Sequence, residues 1–393
     1  MPANAPDILA PAKLGPITLR NRVIKAATFE GMTPDALVTD ALIEYHRRPA
    51  AGGVGMTTVA FCAVSPEGRT EGRQLWMRKE AVPGLRRLAD AVHAEGAAVS
   101  AQLGHAGPVS DASSTGLEAL APGRAFNPLS MKSARAATAD DIARITKAFA
   151  DAAKLAIESG FDAVELHFGH NYFASSFLSP LLNRRDDAYG GSLANRARVP
   201  LGIARAVRDA VGDRIAVLAK LNMRDGIPGG FDVEESLEVA RWIERDGSID
   251  ALELTAGSSY FNPMYLFHGD VPIREFAANF RPALRFGFLA FGWAFLRKYP
   301  YRDAYLLDLA RKFRAELDMP LVLLGGITSR ESMDLAMREG FQYVAMARAL
   351  LREPDLIRRI EADRSKLSLC THCNRCMATI YTGTRCPLID EAR

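Results

Sequence analysis

GFDAVELHFGHNYFASSFLSPLLNRRDDAYGGSLANRAR, residues 160–198, decides how this chain is read. It opens as a short apolar strand, FDAVEL, and delivers His167, His170 and Tyr172 where that strand should end. Three hydrogen-bonding rings within six residues at a strand's carboxyl end read as a site, because in a parallel α/β barrel that end carries the chemistry. The plainer reading, one packed and one solvated histidine, does not account for the FLSP and NRRDDAYGGS that follow.

Outward from that stretch, strands alternate with helical patterns, the sign of a parallel sheet built from βα units. Strand candidates cover 22–27, 54–61, 98–102, 161–167, 215–221, 250–254, 320–324 and 343–346. Helical patterns cover 79–95, 193–211, 233–244, 303–317 and 329–339, and another begins after Thr138, which with Asp141 at N3 makes a good cap. Two stretches break the alternation: a Gly/Pro/Ser-rich connection, 104–137, and an aromatic-rich insertion, 255–302, after strand six. Connections of that length in compact domains are usually functional. The expected architecture is α/β, a (β/α)₈ TIM barrel over residues 1–362, with a Cys-rich tail, 363–393, packed on or near it. A doubly wound open sheet is the alternative, but no GxGxxG follows any strand, so a Rossmann site is unsupported.

The 393 residues exceed the roughly 250 of a minimal barrel and leave room for insertions. Hydrophobic residues make up 48% and charged residues 24%, enough for an ordinary core. Net charge is 49 − 46 = +3, so no basic field calls for nucleic acid or a membrane. The start, MPANAPDILAPAKLG, lacks the basic and apolar regions of a signal peptide. The longest apolar run, 286–296, has eleven residues, short of the roughly 18 that span a bilayer. A cytoplasmic enzyme with a small-molecule substrate is expected, and homo-oligomerisation is left open.

LLGGITS, 323–329, puts Gly325 and Gly326 between a strand end and a helix start. Glycine lets backbone N–H groups approach an anion, and the helix terminus adds positive potential. YVAMARALL brings Ala347 and Arg348 to the end of strand eight, and the loops after strands seven and eight are this barrel's phosphate site. A phosphate clamp without a nicotinamide fingerprint fits FMN better than NAD. Gln102, ending strand three, carries an amide able to pair with the uracil-like edge of a flavin. Four of the five cysteines, Cys370, Cys373, Cys376 and Cys386, fall in the tail as C-x₂-C-x₂-C-x₉-C, a clustering that reads as a metal or cluster site in a reducing compartment. A zinc ribbon usually pairs two C-x₂-C knuckles, whereas three cysteines in seven residues are nearer iron–sulfur spacing. A [4Fe–4S] cluster, zinc and free thiols all stay open.

Taken together, HxxHxY, FLSP and NRRDDAYGGS resemble the signature of the Old Yellow Enzyme family of FMN-dependent ene-reductases. Asn171 stands where that family usually has glycine. The resemblance implies that NAD(P)H reduces FMN and that hydride passes to an activated alkene. His167 and His170 would bind the alkene's carbonyl oxygen while Tyr172 protonates the α carbon. The family pattern Q-L-x-H-x-G is met by Gln102, Leu103, His105 and Gly107, which gives Gln102 the flavin-edge role, with His105 read as a structural loop residue. Lys220 ends strand five where relatives often carry an arginine facing flavin N1 and O2, and a cation there stabilises the reduced ring. In LGPITLRNRVIKAAT, the family's flavin-tuning Thr or Cys falls on Phe29, one place after Thr28, and Ala26 and Ala27 let the backbone approach the ring. Phe61, closing strand two, joins this cofactor-facing set.

The tail resembles the iron–sulfur branch of the same family, the dienoyl-CoA reductase and trimethylamine dehydrogenase types, with a shorter gap before the last cysteine. Amine dehydrogenases and demethylases of the family, which run the flavin in the opposite direction, supply one alternative function. A metal-stabilised barrel lyase or isomerase acting without flavin on a phosphorylated substrate supplies another.

Overall fold

Apolar runs of three to eight residues form β1 (Val23–Lys25), β2 (Met56–Ala63), β3 (Ala98–Gly104), β4 (Ala163–Phe168), β5 (Ala216–Asn222), β6 (Ala251–Thr255), β7 (Leu321–Leu324) and β8 (Tyr343–Met346). In this computed structural model, which describes residues 5–128 and 130–390, they pair in chain order, all parallel, and β8 closes on β1. The architecture is the expected TIM barrel. The first four residues of the start read above as no signal peptide, and the end of the tail beyond residue 390, lie outside the described residues.

Both faces of every barrel strand are covered, so the strands read as nearly continuous apolar runs. The inward set builds in layers, because side chains alternate with a period of two. At the amino end, Ile24, Met56, Ala163, Ala216, Leu218, Ala251, Val322 and Tyr343 pack together, closed from below by Leu14 and Leu19 of a hairpin pairing Ala12–Leu14 with Ile17–Leu19. One step higher, the same parity brings Gln102, Glu165, Lys220 and Glu253 to one level: Gln102 pairs with Glu165 across β3 and β4, and Lys220 with Glu253 across β5 and β6.

The outer layer includes α1 (Asp40–Ala51), α2 (Val82–His93), α3 (Ala139–Glu158), α4 (Arg198–Val211), α5 (Val233–Asp246), α6 (Pro282–Phe295), α7 (Leu307–Glu316) and α8 (Arg330–Arg338). Thr138 and Asp141 form the expected capping box, each side chain bonded to the other's backbone N–H. Residues 104–137, expected as an irregular connection, hold a small sheet of Leu120–Ala121, Ala125–Asn127 and Lys132–Ala136. Strands of two to five residues are too short for alternation to stand out from background. The insertion after β6 folds as the short helix Ile273–Ala277 followed by α6, which pack on each other through Phe276, Phe280 and Phe288.

The tail lies against the β1–α1 connection and the insertion. Thr384 donates its N–H to Glu30 O at 2.8 Å and its hydroxyl to Phe29 O at 2.5 Å, and Asn374 donates to Phe267 O and Asp270 O. Gly31 makes this docking possible: it sits at φ +62, and a Cβ there would stand 2.0 Å from Ile380 O. Gly31→Ala is therefore expected to displace the tail. Trypsin should then cut after Arg375 and Arg385 faster than in the unaltered protein, and equal cleavage rates would show that another contact holds the tail.

Candidate active site at the carboxyl end of the barrel

β4 ends in a left-handed step: His170 and Asn171 take φ of +63 and +59. Two successive residues in this region reverse the chain and turn His170 and Tyr172 back toward His167. Ring centroids are 5.1 Å apart for His167–His170 and 4.6 Å for His167–Tyr172, and Phe61 lies edge-on to Tyr172 at 5.3 Å. Asparagine tolerates the left-handed region better than most residues, which explains why it can stand in a glycine position. Its side chain leaves the cluster: the Asn171 amide donates to Asp225 Oδ1 at 3.2 Å, and Asn222 donates to the same oxygen at 3.0 Å.

Both histidines are held neutral, and a backbone contact fixes the tautomer of His167. Gly169 N–H donates to His167 Nδ1 at 3.2 Å, which places the ring proton on Nε2. His170 Nε2 meets Thr255 Oγ1 at 2.9 Å, and its backbone N–H donates to Asn222 Oδ1. Burial depresses His170 to about 3, with Lys220 adding to the effect, and pushes His167 well below the imidazole range with help from His170 and Lys220. Burial also raises the Tyr172 phenol, while Ser259 pulls the other way. At neutral pH this end of the barrel presents uncharged N–H and O–H donors.

Beneath the rings lies the charged layer. Lys220 Nζ donates to Glu165 Oε1 at 3.0 Å and stands 2.7 Å from Glu253 Oε1, with all three side chains at most 3% exposed. Gln102 donates its amide N–H to Glu165 at 2.5 Å, which leaves its carbonyl oxygen as an acceptor. Burial pulls Lys220 down, but the two carboxylates outweigh it and the net shift is upward. Burial, with Glu165's charge adding, raises Glu253 to about 8. Lys220 is thus an inward cation rather than a snorkelling one, and it comes with two acids that the motif reading did not include. Their signal was present, since ELH in β4 and LEL in β6 each set a glutamate inside an apolar strand.

Gly325, Gly326, Ala347 and Arg348 line one cavity, together with Tyr301, Tyr305, Thr328 and His372. Both glycines are left-handed, at φ +97 and +77, and a Cβ on either would strike residues of the 302–306 segment. Arg348 donates to His268 O at 2.9 Å and to Asn374 Oδ1 in the tail. Two glycines lining one cavity with a guanidinium beside them suit a phosphate. An acceptor from Gln102 and a cation from Lys220 suit an imide edge. The donor set therefore fits FMN.

Ala27 and Phe61 pack with Tyr172, and the Ala26 N–H donates to Met346 O at 2.8 Å, so this part of the expected cofactor face is brought together. The Thr28 hydroxyl turns outward instead, receiving a hydrogen bond from Lys25 Nζ at 2.9 Å and lying 2.9 Å from Tyr45 OH. Beside it, Glu30 accepts from Ala60 N–H at 2.8 Å and meets His46 Nε2 at 3.2 Å. Burial raises Glu30 to about 8 and holds His46 well below its usual value, so this contact is a neutral hydrogen bond. His105, buried against Phe173, accepts from Gly107 N–H at 3.0 Å and sits as a structural loop residue would.

The tail cysteines do not stand as a ligand set: among the described residues no group of three or more His, Cys, Asp and Glu side chains could hold a metal ion. Cys370 Sγ faces His372 Nδ1 at 3.8 Å, while Cys386 Sγ lies 4.0 Å from Arg352 Nη1, on a separate piece of backbone. The thiols still sense one another. Cys376 is pushed up to about 12, first by burial and then by the other three, with Arg348 opposing.

Fold and donor set together describe a flavin-binding barrel oxidoreductase. The sequence pattern of the NADH:flavin oxidoreductase / NADH oxidase family matches residues 7–255, and the chain belongs to that family; it is an FMN-dependent NAD(P)H oxidoreductase. It is 49% identical over 388 residues to the 4,4'-dithiodibutanoate disulfide reductase of Rhodococcus erythropolis, covering 99% of this chain and 96% of that protein. It is 29% identical to the multifunctional alkene reductase/demethylase OYE of Caballeronia cordobensis, covering 92% of this chain and 50% of that protein, so the chain spans about half of this second relative. A solved complex of 2-naphthoyl-CoA reductase superposes with a TM-score of 0.83 at 26% identity, over 97% of this chain and 56% of that one.

The buried groups set an expected pH dependence of stability. His46, His167 and His170 are neutral when folded and titrate at the ordinary 6.5 when unfolded, so their contribution is lost as pH falls below 6.5. Glu30 and Glu253 are protonated up to about 8 when folded but titrate at 4.5 when unfolded, so their contribution shrinks as pH rises from 4.5 to about 8. Three sites against two place the maximum from these groups near 6.5. A thermal-unfolding series showing a monotonic rise in Tm from pH 5 to pH 8 would contradict it. Lys220→Met should lower stability by about 3–5 kcal/mol, the usual result of leaving buried charges without their partner, as read by urea unfolding with an unchanged m value.

Proposed function

We propose that this protein reduces a small electrophilic acceptor at His167, His170 and Tyr172, and that the acceptor is an activated alkene. The observation that carries the reading is the convergence of two neutral imidazoles and a phenol above a layer containing one buried cation. Gly325, Gly326, Ala347 and Arg348 would hold the phosphate of FMN, and Gln102, Lys220, Ala26, Ala27 and Phe61 would surround its ring, whereas the Thr28 hydroxyl is turned away. Bound there, FMN would supply a hydride taken from NAD(P)H. His167 Nε2–H and the His170 ring donate to the acceptor's carbonyl oxygen and draw electron density from the double bond. Tyr172 gives its proton to the α carbon once hydride has reached the β carbon, so two electrons and two hydrogens saturate the bond. The phenol suits this role because burial keeps it protonated.

A disulfide acceptor is the second reading, favoured by 49% identity along nearly the full length of a disulfide reductase. There the hydride's electron pair breaks the S–S bond, one sulfur leaves as thiol and the other as thiolate, and Tyr172 protonates the thiolate. For the tail, we propose that Cys370, Cys373, Cys376 and Cys386 are ligands of a [4Fe–4S] cluster, with zinc as the alternative. Thiolate sulfur is the ligand both groups take, the four thiols would have to close up on one another to bind either, and no step of the reduction is routed through them.

Rapid-mixing kinetics of Tyr172→Phe test the assignment. Reduction by NAD(P)H needs no proton from the phenol and should remain near normal. Reoxidation by an enone should slow by about 10²–10⁴-fold, the usual effect of losing a general acid. Reoxidation by an aliphatic disulfide should slow less, because a thiolate of pKa near ~8.5 leaves without being protonated first. Equal slowing of both half-reactions would remove Tyr172 from the acid role, and reoxidation by the disulfide alone would replace the alkene reading with the second.

A further inference from the structure

The apolar run at 286–296 is too short to cross a bilayer, and it forms most of α6 rather than part of the core. Its inner side, with Phe288 and Leu296, packs on Phe276. Its outer side is just as apolar: Phe286 is 75% exposed, Phe291 72%, Trp293 67% and Leu289 46%. Phe286, Leu289 and Trp293 are spaced i, i+3 and i+7, which puts them in one stripe along about 10 Å of helix. A soluble face this rich in large apolar groups has an interaction partner as its ordinary explanation.

Charge says which partner. Residues 276–302 contain Arg281, Arg285, Arg297, Lys298 and Arg302 and no Asp or Glu. Lys298 and Arg302 pair with Asp270 and Asp308, whereas Arg281, Arg285 and Arg297 form no ion pair among the described residues. Arg281 and Arg285 also stand at the amino end of α6, where a cation opposes the helix dipole and weakens the helix. Their placement therefore does not serve the fold. A second copy of the chain is disfavoured as occupant, because parallel or antiparallel pairing of two α6 helices brings arginine against arginine. An acidic surface that accepts both aromatic rings and guanidinium groups is a bilayer of anionic lipid.

We propose that α6 docks this protein on an anionic membrane surface, with Phe286, Leu289, Phe291 and Trp293 entering the headgroup boundary and Arg281, Arg285 and Arg297 meeting lipid phosphates. The small net charge of the whole chain hides this local field. Holoprotein sedimented with vesicles is expected to bind phosphatidylcholine mixed with phosphatidylglycerol, not phosphatidylcholine alone, and to be released by high salt. Brominated acyl chains should quench the emission of Trp293, and Trp293→Phe should lose that quenching while still binding. Arg281→Gln with Arg285→Gln should weaken binding about 30-fold, with NAD(P)H-driven turnover in vesicle-free solution unchanged. Failure to bind either vesicle, or equal binding to both, would overturn the proposal. So would a dimer in light scattering that Leu289→Asp converts to monomer, which would assign the face to a second copy.

Discussion

The Glu165–Lys220–Glu253 contact in the barrel's interior is the constraint on which the site rests. A closed parallel barrel has no room for water between its layers, so ionisable groups pointing inward must satisfy one another. Lys220 does this with two carboxylates within 3.0 Å, and Gln102 ties the arrangement to β3. Four adjacent strands are thereby tied together: β3 to β4 and β5 to β6 through directly paired residues, and β4 to β5 diagonally, because Lys220 lies opposite His167. Breaking one partner leaves buried charge uncompensated, which is far more damaging than the modest net gain of forming the contact.

That layer sets the electrostatics above it. Burial holds both histidines neutral, Lys220's charge adds to it, and for His167 the neighbouring His170 ring adds again. Two imidazolium ions at this separation would repel each other and any proton donor beside them. Neutral rings instead offer hydrogen bonds to an oxygen without competing for the phenol's proton. The left-handed turn at His170 and Asn171 makes the arrangement possible, and Asp225, gripped by Asn171, Asn222 and Ser179, holds the turn in place.

The β1–α1 connection is supported from two sides. On the helix side, Lys25, Thr28, Tyr45, Glu30 and His46 form a buried polar network that takes the Thr28 hydroxyl away from the barrel mouth. On the other, the tail caps the carbonyls of Phe29 and Glu30. Arg348 joins the cavity lined by Gly325 and Gly326 to this tail through Asn374. That cavity, the tail and the first loop therefore form one contiguous set of contacts.

The sequence by itself determined the barrel, the order of its eight strands and the residues at their carboxyl ends. Those features depend on local period and on short motifs whose residues are neighbours in the chain. His167, His170 and Tyr172, or Gly325 with Gly326, lie within a few positions of one another and are read from a single window. Glu165 and Glu253 were visible only as acids out of place in apolar strands, and their partner is 55 residues from one and 33 from the other in the chain. Only barrel closure could place them around Lys220. The outward turn of Thr28, the small sheet within 104–137 and the scattered tail thiols were decided likewise by contacts between distant segments. So was the exposure of α6, because periodicity alone cannot tell an apolar helix that fills a core from one that lies on a surface.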